Sequence, residues 1–135
     1  MYDVDVDPKQ LDEFTKNSDQ GPFLMLNLLK LKKDGGDKDY ARYLAESSPF
    51  AEAIGATVEY FGIPQELLTG KEDWDLIMLI RYPSRQAFLD LINDPGYLKA
   101  HEWRHKGVER AVLYPTSPQS SAAFIKKHLF SPSMA

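Results

Sequence analysis

Nine residues between two chain breakers, Phe23-Leu-Met-Leu-Asn-Leu-Leu-Lys-Leu31, constrain this chain more than any other stretch. Gly21-Pro22 interrupts whatever precedes them, and Asp34-Gly35-Gly36 interrupts whatever follows. Read with a period of two, Phe23, Met25, Leu29 and Leu31 fall on one face and Leu24, Leu26 and Leu28 on the other. A strand that is apolar on both faces is covered on both sides. Asn27, an amide at the centre of the run, is the exception. Leucine and methionine also suit helices, so the run by itself leaves a strand and a short helix both open. The downstream elements decide between them.

Taken in order, Asp7-Pro8 reads as an N-cap with proline at the first helical position, and Leu11 and Phe14 share a face of a short helix over 8–17. After the run at 23–31, Asp37 is placed to cap a second helix carrying Tyr40, Tyr43, Leu44 and Ile54, with a kink and restart at Ser48-Pro49 and a stop at Gly55. Residues 56–63 and 75–82 are rich in β-branched, aromatic and aliphatic types and read as strands. The second of these is again apolar on both faces. Ser84 caps a helix whose Ala87, Phe88, Leu91 and Ile92 form one stripe. Asp94-Pro95 restarts the chain as a further helix that runs to about Lys106 and presents Tyr97, His101 and Arg104 on one side. Gly107 stops it, and Val108–Tyr114 forms a last strand.

Leaving out the first helix, the order is strand, helix, strand, strand, helix, strand, the ferredoxin-like arrangement of an α+β fold. Right-handed crossovers give a four-stranded antiparallel sheet of order 4-1-3-2. The two doubly apolar runs then occupy the two central positions, which is the argument for reading 23–31 as a strand. Two helices cover one face of such a sheet. The other keeps leucines and isoleucines, an apolar surface suited to the same face of a second copy. The expectation is one domain over 1–115, a homodimer through the sheet face, and a Pro/Ser/Thr-rich tail over 116–135 whose segment Ala122–Phe130 docks on the partner.

The net charge of −4 argues against phosphate-backbone or anionic-membrane binding. With no cysteine there is no disulfide, thiol nucleophile or thiolate metal site. Nothing near Met1 reads as a secretory leader and no run is long enough to span a membrane, so cytoplasm is the expected location.

Several short stretches, in this order and at this spacing, resemble one family. They are Gly21-Pro-Phe-Leu-Met-Leu-Asn-Leu-Leu-Lys30, Tyr40-x-x-Tyr43, Trp74, Arg81-Tyr-Pro-Ser84 before Ala87-Phe88, and Asp94-Pro-Gly-Tyr97 with Arg104 seven residues on. Together they resemble the domain-of-unknown-function family numbered thirteen-thirty, within the dimeric α/β-barrel superfamily, over roughly residues 8–115. The resemblance implies a ferredoxin-like protomer whose sheets pair into a barrel. That superfamily includes cofactor-independent monooxygenases, lactone isomerases and haem-binding proteins, while the family itself has no agreed activity.

His101-Glu-Trp-Arg-His105 matches the zinc-protease pattern, with two histidines one turn apart. A zinc site needs a third protein ligand, which the fold reading does not supply, so no metal is assigned. An RNA-binding sheet needs aromatic side chains in mid-strand, where this chain has Leu, Met and Ile. No serine stands on a nucleophile elbow.

The topology collects a different group at one edge of the sheet. Asn27, His101 and Arg104 are the candidate catalytic residues there, on the condition that Asn27 takes the face of its strand toward the helices, which parity alone leaves open, and Tyr40, Tyr43, Trp74 and Tyr97 are the candidate substrate-binding walls of a mostly apolar pocket. Two classes of function stay open. One is a cofactor-independent oxygenase- or isomerase-like enzyme in which Asn27 and Arg104 hold an enolisable or phenolic molecule while His101 moves a proton. The other is a non-catalytic binding or interaction module, with the aromatic residues serving as packing. Neither calls for a cofactor.

Overall fold

The computed structural model describes residues 5–130. Its elements are α1 (Pro8–Lys16), β1 (Phe23–Leu31), α2 (Gly36–Ala53), β2 (Thr57–Gly62), β3 (Leu76–Tyr82), α3 (Arg85–Ile92), α4 (Pro95–Gly107), β4 (Val108–Thr116) and α5 (Ser121–Leu129). The sheet has the order β2-β3-β1-β4 with every neighbouring pair antiparallel. This is the ferredoxin-like 4-1-3-2 arrangement, and the run at 23–31 is its central strand.

Local chemistry explains most of the boundaries. Asp7 and Asp94 each accept two backbone N–H bonds at the start of α1 and α4, and Pro8 and Pro95 supply the fixed φ of the first helical residue. Ser84 does the same for α3 through the N–H of Ala87. Two expectations are corrected. The cap of α2 is Gly35, not Asp37: its φ of 81° lies in the left-handed region open to glycine, and Asp37 falls inside the first turn, where the helix dipole favours an acid. Nor does the helix stop and restart at Pro49. It runs as one element from Gly36 to Ala53. β4 extends past Tyr114, pairing Pro115 and Thr116 with Met25 and Leu24.

Helices α2, α3 and α4 lie over one face of the sheet. On β1 that inner face carries Phe23, Met25, Asn27 and Leu29, all buried. Cross-strand pairing puts Met78 opposite Asn27 and Tyr82 opposite Phe23 on β3, so these share the face. Phe23, Met25, Tyr82, Phe88, Leu91 and Tyr97 form one core cluster, and Leu29, Tyr40, Met78 and Val108 a second. α1 closes the first cluster from below by setting Phe14 edge-on to Phe23 and Phe88 at 5.7 and 5.4 Å.

The outer face is different. Leu24, Leu26 and Leu28 are only half-buried, as are Ile77, Leu79 and Val112, which the strand register sets beside them. Tyr114, opposite Leu26, is 65% exposed. α5 carries Phe124, Ile125 and Leu129 exposed as well, with Phe130 just beyond its end.

Candidate functional site

A cavity of about 850 Å³ opens between the inner face of the sheet and the helices. Its walls are mostly apolar, with Met25, Met78, Ile80, Phe88 and Leu91 among them. The helices are held close at its upper end by a pair of glycines. A Cβ on Gly36 would lie 2.6 Å from the carbonyl oxygen of Gly107, and one on Gly107 would lie 2.8 Å from that of Gly36. Only glycine at both positions lets α2 and α4 touch backbone to backbone. Tyr40 stands one turn beyond Gly36 and Arg104 one turn before Gly107, so this contact brings the two side chains together over β1.

Of the residues singled out in the sequence, Asn27, Tyr40, Tyr43, Tyr97, His101 and Arg104 all line this cavity. Asn27 takes the inner face because it shares parity with the buried Phe23, Met25 and Leu29. Its Nδ2 donates to the carbonyl of Met25 at 3.0 Å, and among the described residues this is the amide's hydrogen bond. Arg104 is 5% exposed and its charge reaches the phenols of Tyr40, Tyr82 and Tyr97. The hydroxyls of Tyr43 and Tyr97 are 2.9 Å apart, and the Tyr97 and Tyr43 rings stand 5.8 and 6.5 Å from that of His101.

Trp74 is not brought in. It precedes β3, where Arg110 stacks over its ring at 4.3 Å. Arg110 pairs with Lys30 across the strands and so belongs to the outer face, along with Leu28 and Val112. Asp73 holds this corner there, accepting from Lys30 Nζ at 2.7 Å and Arg110 Nη2 at 3.1 Å. Trp74 is drawn to the outer side by its neighbours and cannot serve as a wall of the inner cavity.

Tyr82 and Ser47 are among the lining residues that the sequence did not single out. Tyr82 has the inner-face parity of Met78 and Ile80, and Ser47 lies one turn after Tyr43 on α2. Both signals were present in the periodicity, but neither residue type stands out from it.

The electrostatics are one-sided. Burial pushes the phenols of Tyr40, Tyr82 and Tyr97 well above the ordinary tyrosine range, although the Arg104 charge pulls each the other way. They are neutral hydrogen-bonding groups at any working pH. Burial also lowers the pKa of half-buried His101, and the Arg104 charge and His105 act in the same direction. Asp5 opposes them, with its Oδ1 3.6 Å from His101 Nε2. His101 is therefore neutral near pH 7 and able to accept a proton. A guanidinium, neutral phenols and an amide around one space favour an oxyanion there, and an imidazole at its side can take the proton lost in forming one.

The zinc-protease pattern resolves into two different environments. Both histidines border the cavity and meet Asp5, but His101 is half-buried, whereas His105 is exposed and meets Asp5 Oδ2 at 3.1 Å through Nδ1. Among the described residues, no group of three or more His, Cys, Asp or Glu side chains is arranged to hold a metal ion. No described helix is long and apolar enough to cross a membrane.

Comparison with solved structures places this site in a fold seen before. The RPA0582 protein of unknown function from Rhodopseudomonas palustris is 31% identical, with a TM-score of 0.83 over 89% of this chain and 99% of that one. Its methylated form gives 32% identity and the same TM-score. A dabb family protein with a ferredoxin-like fold from Mesorhizobium loti is 18% identical, with a TM-score of 0.53 over 75% of this chain and all of that one. A protein from Bacteroides thetaiotaomicron named "Putative antibiotic biosynthesis monooxygenase" is also 18% identical, with a TM-score of 0.56 over 74% of this chain and 91% of that one. The last two likenesses are of fold alone. No curated protein matches the chain. The family described as Domain of unknown function (DUF1330) matches residues 30–114, more than half of the sequence, and the chain belongs to that family.

Proposed function

We propose that the inner cavity binds a small, mostly apolar organic molecule through an oxygen that carries or develops negative charge. The observation that carries this reading is the burial of Arg104, at 5% exposure, beside Asn27 and neutral tyrosine hydroxyls in a cavity of about 850 Å³. That volume suits a drug-sized ligand. In this reading Arg104 and Asn27 hold the oxygen, Tyr40, Tyr43 and Tyr97 shape and hydrogen-bond the space around it, and Trp74 has no part. His101 removes a proton from a C–H or O–H acid, and the electron pair left behind becomes an enolate or phenolate beside Arg104. Returning the proton to another atom would be an isomerisation, whereas passing an electron to dioxygen would begin an oxygenation. Neither needs a cofactor. The monooxygenase name of one fold neighbour is compatible with the second course and no more than that.

A non-catalytic binding protein is the second reading. The contact of Asp5 with His101 favours it, since the Asp5 carboxylate stands 3.6 Å from the Nε2 that would have to meet the substrate's proton.

The active form in either reading is a homodimer. The half-buried leucines of the outer sheet face support face-to-face pairing, and the exposed Phe124, Ile125 and Leu129 of α5 support docking of the tail on the partner subunit.

Native mass spectrometry of the purified protein tests the pocket. A small organic mass that is retained by the wild-type protein, released on denaturation and missing from Arg104→Met is the expected result. An identical retained mass in Arg104→Met would remove the site from consideration.

A further inference from the structure

A register shift in the edge strand sets one wall of the cavity. Between Val58 and Tyr60, β2 slips by one residue against β3, so that Val58 pairs with Ile80, Tyr60 with Leu79 and Phe61 with Met78. Glu59 is the extra residue of a β-bulge. In a regular strand Tyr60 would stand opposite Met78, on the inner face. The bulge turns Tyr60 to the outer face, where its ring lies across Gly62 in the space a Cβ would need, and it brings Phe61 inward. Val58 and Phe61 share the inner face as a result, which strict alternation would forbid, and both line the cavity.

Phe61 is the outermost member of a row that crosses the sheet. The register sets Phe61 beside Met78, Met78 beside Asn27 and Asn27 beside Leu113, and all four line the cavity. The row is filled unevenly. Met78 is buried, and Leu113 packs on the first core cluster, as does Ile80 next along β3. Phe61, in contrast, is 49% exposed and Val58 62%, and among the described residues no aromatic ring meets that of Phe61. β2 is an edge of the sheet, so the cavity reaches solvent along this strand. The space beside Asn27 and Arg104 continues over Met78 toward Phe61.

We infer that the bound molecule is an aryl acid whose ring lies across the strands, over Met78 and against the ring of Phe61. This rests on the anion-binding reading above and adds to it the body of the ligand and its direction. Asn27 and Phe61 are two strands apart, about 10 Å between backbones. A carboxylate or enolate oxygen held at Asn27 and Arg104 takes the inner end of that span. A ring joined to it through a vinyl or ethyl linker reaches the outer half, within the roughly 4.5–7 Å between centroids at which aromatic rings attract. The ligand ring in turn covers an aromatic side chain that otherwise meets water.

Cinnamate and trans-cyclohexylacrylate share carboxylate, linker and ring size and differ in aromaticity. Titration calorimetry on the purified protein gives both affinities for the wild type, Phe61→Leu, Phe61→Tyr and Arg104→Met. The ratio of cinnamate to cyclohexylacrylate affinity is expected to fall about fivefold in Phe61→Leu, the scale of one aromatic pair, and to stay within about twofold of the wild type in Phe61→Tyr. Arg104→Met should weaken both probes alike. Phe61 is a half-exposed residue of an edge strand, and Phe61→Ile serves in place of Phe61→Leu should the latter fail to fold. A ratio that holds in Phe61→Leu, or falls as far in Phe61→Tyr, would overturn the placement of the ring and leave the anion site intact. No binding of either probe at millimolar concentration, or binding indifferent to Arg104→Met, would overturn both.

Discussion

Replacing Asn27 by leucine should stabilise the protein and abolish ligand binding together. Asn27 is 7% exposed on the central strand, inside a face otherwise made of Phe23, Met25 and Leu29. The amide donates once, to the Met25 carbonyl, and among the described residues the rest of its bonding capacity faces the cavity. Leaving a buried polar group without a partner costs about 1–3 kcal/mol, and losing the bond to Met25 would give back about 0.5–1.5 kcal/mol. Leucine shares the branching of asparagine at Cγ but is larger, and the cavity beside position 27 takes the extra volume; the added apolar burial is worth at most about 1.5–3 kcal/mol and less beside an open space. The net expectation for Asn27→Leu is a gain of about 1–2 kcal/mol, or a rise in Tm of roughly 3–8 °C for a domain of this size. Calorimetric unfolding of the unliganded wild type and variant measures it, and cinnamate titration measures the accompanying loss of binding. A drop in stability of about 2 kcal/mol, or undiminished cinnamate affinity, would show that the amide serves the fold rather than a ligand.

Three further outcomes follow from other parts of the structure. Alanine in place of helical glycine ordinarily adds about 0.5–1 kcal/mol, yet Gly107→Ala should lower stability by about 1–3 kcal/mol, because its Cβ would meet the Gly36 carbonyl and Asp39 Cβ, both at 2.8 Å. Thermal unfolding reads the sign, and an unchanged or higher Tm would mean that the helices are free to separate. His101 should titrate below the ordinary histidine value of about 6.5, since burial and Arg104 oppose its charge. The unfolded chain then binds the extra proton more readily, so stability and any base-dependent rate should both fall as pH drops through that region. An NMR midpoint above 6.5 would contradict this. Finally, light scattering should give twice the 15.4 kDa chain mass for the wild type and the single mass for Leu26→Asp on the outer sheet face. A folded wild-type monomer at micromolar concentration would refute face-to-face pairing.

The fold could be read from the sequence because its constraints reinforce one another. The double apolar periodicity of 23–31 and 76–80 demands two central strands, and the right-handed crossovers leave one sheet order that supplies them. Much of the candidate site followed from helical spacing, which sets Tyr97, His101 and Arg104 on one side of α4. What remained hidden depends on contacts that periodicity does not encode. A period of two divides β1 into faces, but only the seating of α2 and α4 decides that Asn27 looks inward. That seating turns on Gly36 and Gly107, which as sequence features read as chain breakers and in the structure are the point where two backbones touch. Trp74 was misplaced because adjacency to β3 says nothing of the Lys30–Asp73–Arg110 network that draws that corner to the outer face. Tyr82 and Ser47 went unseen because a tyrosine and a serine at core spacing look like packing in the sequence, and only the seating of the helices over the sheet sets them on the cavity wall.

A crystal of the protein soaked with cinnamate, a small aryl carboxylate, puts the anion site to the test. Density is expected inside the cavity between β1 and α4, with the carboxylate against Arg104 and within hydrogen-bonding distance of Asn27. Density confined to the outer face of the sheet or to the surface of α5, with the inner cavity unchanged, would contradict it.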